Sequence, residues 1–323
     1  MFQLKRISIT FFSACLLVLL IVQVASAQGR PPIPRGSQKA SLTQTIGTTD
    51  VTVTYSRPAV KNRKVYGDWP TAVAGEATLD NGNERPKDAP LVPWGHVWRT
   101  GANEATLFTV TDDVLINGQP LAAGRYSLHT IPGKKEWTVI FNKDDGQWGS
   151  FAYDAKKDAL RVKALPQTIK QSQELLLVTA DSVTDSSATF AVSWEKIRVP
   201  FTVAISDVVG STMTRLKAFV AVAKSDDAGS RINAATYAKA NKQTDQANAW
   251  FEEALKITEA QIATKASFQN LSRKATILLG LNRNQDALAS AEAAVTRGKA
   301  DNVKASDIEA LEKRIADIKA GKL

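Results

Sequence analysis

The stretch VLINGQPLAAGRYSLHTIPGKKEWTVIFN, residues 114–142, decides the fold class. Short apolar runs alternate in it with turn residues. Asn117 and Gly118 form the strongest short hairpin signal, because both central residues of such a turn must tolerate a positive φ. Pro132 and Gly133 supply a second turn between two further apolar runs. The stretch therefore predicts consecutive antiparallel hairpins.

The same pattern of short apolar runs separated by turn residues extends over residues 41–205. Apolar and polar residues alternate at 51–55, as in a half-buried strand, and we expect separate strands at 187–195 and 197–205. About eight to ten such strands with regular turns predict an all-β antiparallel sandwich or barrel. Residues 69–92 interrupt the pattern with proline, glycine, asparagine and aspartate, and we interpret them as a loop insertion.

After residue 205 the sequence becomes rich in alanine, which predicts a smaller all-α domain of helical hairpins over residues 206–323. Ala247, Phe251 and Ala254 share one helix face, where small residues let a neighbouring helix approach closely. The same offsets recur forty residues later, at Ala287, Ala291 and Ala294. This spacing resembles tetratricopeptide repeats, although their usual period is about 34 residues. The resemblance implies a surface for partner proteins.

Capping residues predict where two of these helices begin. Ser206 is placed to cap the first helix, and Ser306 with Glu309 forms a capping box for the last one. Gly321 is the expected end of that last helix.

Residues 1–27 have the pattern of an export signal peptide, in which two basic residues precede an apolar run and Ala25 and Ala27 offer a cleavage site. The alternative is an uncleaved membrane anchor. The Ala-x-Ala site directly after the run favours cleavage, which predicts a flexible lead over residues 28–40 and no membrane span in the mature chain. Cys15, the single cysteine, lies in the signal. We therefore expect a periplasmic or extracellular protein without disulfides.

The inventory of catalytic and cofactor-binding residues is small. Two histidines, His96 and His129, do not readily complete a zinc site in a chain whose mature part lacks thiols. No phosphate-binding glycine loop, nucleophile elbow or EF-hand spacing occurs. The net charge is +9, but the longest basic cluster, residues 61–64, is short. The sequence predicts no metal, no cofactor and no nucleic-acid partner.

The densest group of functional side chains is PWGHVWRTGANEAT, residues 93–106. One interpretation is that Trp94 or Trp98 stacks a sugar or other flat ligand while Arg99 and Glu104 bind its polar groups. The other is structural. In it Trp98 fills the core, a glycine makes a turn, and Arg99 pairs with Glu104.

Long motifs in this region, among them VPWGHVWRTGANEATLFTV and VLINGQPLAAGRYSLHTIPG, resemble the bacterial domain of unknown function 2911 family over about residues 38–205. The resemblance implies export and assigns no reaction. Arg57 and the run from Trp98 to Glu104 match the family pattern without gaps. The candidate ligand-binding residues are therefore Arg57, Trp94, Trp98, Arg99, Asn103 and Glu104.

Three functions follow as hypotheses. The first is an exported envelope protein whose β domain binds a small ligand or an envelope protein, with a helical tail for protein interaction, including homo-oligomer formation. The second is an envelope hydrolase acting on saccharide or peptide with Glu104 and Arg99. The third is a scaffold whose β domain binds nothing. The sequence favours binding over catalysis and leaves the enzyme question open.

Overall fold

The structure is a computed structural model that describes residues 33–69 and 89–322. The predicted signal peptide and most of the predicted loop insertion lie outside the described residues. Within them, twelve strands precede six α-helices. The strands are β1 (Gln38–Ile46), β2 (Thr49–Arg57), β3 (Tyr66–Gly67), β4 (Val92–Pro93), β5 (Thr106–Val110), β6 (Val114–Ile116), β7 (Gln119–Leu121), β8 (Gly124–Ile131), β9 (Trp137–Asn142), β10 (Asp158–Ala164), β11 (Gln167–Asp181) and β12 (Ser187–Ala204).

The strands form two antiparallel sheets. The first has the order β1-β2-β5-β8-β9-β10, and the second has the order β11-β12-β6-β7. The two-residue strands β3 and β4 form a separate parallel pair. This confirms the predicted all-β antiparallel fold in its sandwich form, with a small parallel addition.

The core lies between the two sheets. Phe108 of β5 and Phe141 of β9 meet edge to face, with ring centroids 4.9 Å apart. Phe190 and Phe201 of β12 approach the same ring of Phe108 from the second sheet, at 6.3 and 6.2 Å. All four side chains are buried. Aromatic pairs of this geometry add to the free energy gained by burying their apolar area.

The turn chemistry confirms the central hairpin and corrects one strand boundary. Asn117 and Gly118 have φ angles of 47° and 83°, as a two-residue hairpin turn requires. The two strands expected at 187–195 and 197–205 form the single strand β12 instead. Glu195 has a φ of 54°, so the backbone is distorted there, and the register against β11 shifts nearby. The prediction mistook this local irregularity for a break.

The helices are α1 (Val208–Val222), α2 (Ala228–Ala240), α3 (Thr244–Thr264), α4 (Phe268–Gly280), α5 (Asn284–Ala300) and α6 (Ala305–Lys319). The small-residue faces of α3 and α5 are buried as expected, including Ala247, Ala254, Ala287 and Ala294. No helix of the described segments has the length and apolarity to cross a bilayer.

Both capping predictions were wrong. Asp207, not Ser206, caps α1, since its Oδ1 accepts a hydrogen bond from the Gly210 backbone N–H at 2.7 Å. The last helix begins at Ala305, one residue before the expected capping serine, and no side chain caps it. Ser306 therefore lies inside the first turn and cannot act as the N-cap.

The helices have apolar cores of their own. The buried residues of α1 to α6 form two clusters that share no buried residue with the inter-sheet core. Helix α1 contacts the sandwich through Val208 and Arg215. Val208 packs against the inter-sheet core, and an Arg215 guanidinium nitrogen lies 2.6 Å from Asp112 Oδ2.

Candidate functional site

The segment that carries most of the candidate residues is held against β8. The Trp98 backbone pairs with Thr130 through two hydrogen bonds, of 2.8 and 2.9 Å. The chain then bends sharply, and the bend closes where the Thr106 hydroxyl donates to the Thr100 carbonyl at 2.7 Å. Gly101 lies within this bend, where an added Cβ would come 3.1 Å from the Ser56 carbonyl oxygen. The close approach explains why a glycine occupies this position.

Trp98 and Trp194 form a stacked pair between the sheets. Their ring centroids are 5.8 Å apart with an interplanar angle of 19°, and both side chains are buried. The Trp98 Nε1–H donates to the Gly101 carbonyl at 3.1 Å. Trp194 Nε1–H donates to the Glu174 carbonyl at 3.2 Å. These hydrogen bonds fix the orientation of both indoles, and ligand sites are usually preformed in this way.

A cavity of about 220 Å³ opens beside this tryptophan pair. Its wall contains two arginines, the two tryptophans and small or apolar residues. The lining residues are Ser37, Pro58, Arg63, Leu91, Val92, Trp98, Arg99, Gly101, Ala102 and Trp194. Trp194 belongs to the second sheet, while Pro58 directly follows β2 of the first. The cavity is therefore built from both sheets.

Arg63 is positioned by its own loop. Its Nε donates to the Val60 carbonyl at 3.1 Å, and its Nη2 donates to the Ala59 carbonyl at 2.6 Å. Carbonyl oxygens orient the guanidinium without cancelling its charge. Arg63 belongs to the short basic cluster at 61–64, and no local sequence signal connects this cluster with the site.

Three candidate residues have structural contacts and are not among those lining this cavity. Arg57 Nε donates to the Leu176 carbonyl at 2.8 Å, which ties β2 to β11. Asn103, with a φ of 60°, donates from Nδ2 to the Ser37 carbonyl at 3.0 Å. Trp94 stacks on Tyr66 at 5.5 Å.

Glu104 does not pair with Arg99, contrary to the structural interpretation of this segment. Its carboxylate accepts hydrogen bonds from Arg35 Nη1 at 2.6 and 2.8 Å. That hydrogen bonding is the main reason why the pKa of Glu104 lies below its ordinary value. Glu104 lines a second, smaller cavity of about 100 Å³, together with Lys39 and Asp145. Arg99 is not among the residues that line it.

The structure thus brings together two of the six candidate residues, Trp98 and Arg99, and separates them from Glu104. Arg63 and Trp194 complete the larger cavity and were missed. His96 and His129 are buried. The His96 ring Nδ1 lies 3.0 Å from the Trp94 carbonyl oxygen. Within residues 33–69 and 89–322, no three His, Cys, Asp or Glu side chains cluster as a metal site requires.

Fold and site define this protein as a two-sheet β-sandwich with a separate helical domain and a cavity lined by arginine and tryptophan. The family described as "Protein of unknown function (DUF2911)" matches residues 37–203, more than half of the chain, and the chain belongs to this family. No curated protein and no solved structure matches the chain. The family confirms the resemblance found in the sequence motifs. The likeness of the helices to tetratricopeptide repeats stays a prediction.

Proposed function

We propose that this is an exported envelope protein whose β domain binds a small ligand in the cavity of about 220 Å³, while its helical domain provides a surface for assembly with a partner or a second copy. The observation that carries the binding proposal is the composition of the cavity wall. Arginine side chains and fixed indoles converge on one concave space, and such convergence of polar groups on an apolar wall is typical of ligand sites.

The size of the cavity limits the ligand. Pockets for drug-sized molecules have volumes of roughly 300–1,000 Å³, and this one is about 220 Å³. A single sugar ring or a molecule the size of an amino acid is the expected occupant. A polymer would have to insert one terminal unit.

A binding role accounts for the geometry better than the alternative of an envelope hydrolase. That mechanism needed Glu104 and Arg99 in one site, and they line different cavities. Both carboxylate oxygens of Glu104 also accept hydrogen bonds from Arg35, which engages the group that would have to transfer a proton. We therefore assign no catalytic role to it.

Blocking the cavity tests the proposal. The chain from residue 28 to 323 would be titrated with monosaccharides, sugar acids and amino acids, with tryptophan fluorescence as the readout, because Trp98 and Trp194 lie in the cavity wall. Ala102→Phe fills the cavity and should abolish any response. Ala152→Phe, at an exposed position, is the matched control. Responses that are unchanged in Ala102→Phe would contradict binding at this site.

Export has its own test. Expression of the full chain in a bacterium, followed by fractionation and N-terminal sequencing, should find a periplasmic or secreted protein beginning at Gln28. An intact N-terminus in the cytoplasmic fraction would contradict this part of the proposal.

A further inference from the structure

We infer that this protein forms a two-fold symmetric dimer in which the apolar end of α1 in each copy packs into a groove beside α3 of the other copy. The apolar end is AFVAVA, residues 218–223. This inference rests on the assembly part of the proposed function, because it names the surface and the partner. It does not depend on the cavity of the β domain.

The end of α1 is apolar on every side. Residues 218–223 contain no polar side chain, and among these six described residues Val220 alone is buried. Phe219 is 56% exposed and Val222 is 84% exposed. A helix that is apolar all round is normally buried, and a contiguous exposed apolar patch marks an interaction site.

The contacts that hold α1 in place leave this end uncovered. Met213, Leu216 and Val220 recur at helical spacing and pack into the apolar cluster of the other helices. Phe219 and Val222 lie three residues apart on a different face of α1. Packing within the chain therefore does not account for these two side chains.

An open groove of about 450 Å³ adjoins this end of α1. Its lining includes Ser225 and Asp226 of the loop after α1, and Ile257 and Ala260 of α3. Val222 precedes Ser225 by three residues, and three peptide units span at most about 11 Å. The apolar end and the groove are therefore neighbours.

Hydrogen bonds give the groove a fixed shape. Gln261 of α3 lines the groove, and its Nε2 donates to the Asp226 carbonyl at 2.9 Å. The Gln261 Oε1 accepts a hydrogen bond from Arg273 Nη1 at 2.9 Å. These bonds tie the loop after α1 to α3 and α4, so the groove exists before anything enters it.

The apolar end and the groove together make a surface that is complementary to itself. In a two-fold dimer the same patch of both copies meets, so each apolar end reaches the groove of the other copy. The groove falls in the range of roughly 300–1,000 Å³ that holds drug-sized molecules. It has room for the side chains of Phe219 and Val222, which would contact Ile257 and Ala260.

The charges of the groove favour a second copy. Asp226 and Lys256 both line it, and among the described residues neither forms an ion pair. Across a two-fold axis, Asp226 of each copy can pair with Lys256 of the other. A lipid surface fits less well, because Asp226 and Asp227 follow the apolar end and anionic headgroups repel carboxylates.

Sedimentation velocity of the chain from residue 28 to 323, over a series of concentrations, tests the dimer. Phe219→Ser removes an apolar contact and Ala260→Phe fills the groove, and each should raise the Kd of the dimer at least about tenfold. Leu165→Ser and Ala289→Phe make matched changes at exposed positions elsewhere and should leave the Kd unchanged. Circular dichroism checks that every variant keeps its helices.

Charge exchange shows whether the ion pair joins two chains. Asp226→Lys alone and Lys256→Glu alone place like charges together and should each weaken the dimer at least about threefold at low salt. An equimolar mixture of the two variants should recover dimer formation, because both pairs then have opposite charges in the mixed dimer. A pair within one chain would not respond to mixing.

Three outcomes would overturn the inference. If a dimer forms but ignores Phe219→Ser and Ala260→Phe, the chain assembles through another surface, and the assembly part of the proposed function stands without this inference. If the chain is monomeric throughout, the second copy is excluded as the partner. If the monomer instead binds phosphatidylglycerol vesicles and loses that binding in Phe219→Ser, a lipid surface covers the apolar end.

Discussion

Arg35 and Glu104, which lie 69 residues apart in the sequence, form an ion pair. In it Arg35 Nη1 donates to both carboxylate oxygens, at 2.6 and 2.8 Å. The same guanidinium lies over the ring of Trp148, 5.6 Å from its centroid. Trp148 in turn forms a β-bridge with Glu104. The contact fastens the segment before β1 to the loop that leads into β5, so Glu104 has a structural role.

The ion pair between Arg35 and Glu104 predicts how the free energy of unfolding depends on pH. Because the folded-state pKa of Glu104 is lowered, its contribution is present above the unfolded-state pKa and is lost as the pH falls through the folded-state pKa. The pair is partly exposed, so we expect Glu104→Gln to cost about 0.2–1 kcal/mol at pH 7. The difference from the natural chain should shrink as the pH is lowered from 7 through the folded-state pKa. Urea unfolding at pH 7 and in a series of acidic buffers measures it, and a larger difference in acid would contradict the assignment.

Trp98 should be essential for the stability of the sandwich, and Trp148 should not. Trp98 is 2% exposed and Trp148 is 50% exposed. Trp98→Ala leaves a hole between the sheets and is expected to cost about 3–5 kcal/mol. Trp148→Ala loses mainly its contact with Arg35, worth less than about 1 kcal/mol. Urea midpoints of the two variants, measured side by side, provide the comparison, and similar midpoints would show that the indole stack does not support the core.

Gly280 should not tolerate a larger side chain. It lies at the end of α4, where an added Cβ would come 2.5 Å from Cζ of the buried Phe251 ring. Overpacking of this kind costs about 1–3 kcal/mol, which exceeds the roughly 1 kcal/mol that alanine gains over glycine in a helix. Gly280→Ala should therefore lower the melting temperature of the helical domain. Gly146→Ala, with nothing within 4 Å of the added Cβ, is the control. A higher melting temperature for Gly280→Ala would mean that Phe251 moves aside without cost.

The separate cores predict two unfolding transitions. The inter-sheet core and the helical clusters share no buried residue. Scanning calorimetry of the chain from residue 28 should resolve a sandwich transition and a helical one. Trp98→Ala should shift only the first and Gly280→Ala only the second. A single transition that moves with both variants would show that the two domains unfold together, and the contacts of Val208 and Arg215 would then be candidates for the coupling.

Features that depend on near neighbours in the chain were predictable. The hairpin at Asn117 and Gly118 follows from two residues that tolerate a positive φ. The buried faces of α3 and α5 follow from helical periodicity. Helix starts were predicted poorly, because an aspartate one residue later, Asp207, competes with Ser206 for the same backbone donor groups. The end of the last helix was predicted correctly, since Gly321 directly follows its C-cap with a φ of 64°.

The candidate site was only partly predictable, since its members come from distant parts of the chain. Local sequence identified Trp98 and Arg99 as part of a dense polar and aromatic segment. Only the pairing of strands and the packing of two sheets placed Trp194 against Trp98 and brought Arg63 to the same cavity. Turn and helix preferences act over a few residues, whereas the partner of a charge or a ring depends on how sheets close over a shared core. For that reason the fold class was determined by the sequence pattern alone, and the choice of Arg35 over Arg99 as the partner of Glu104 was decided by tertiary structure.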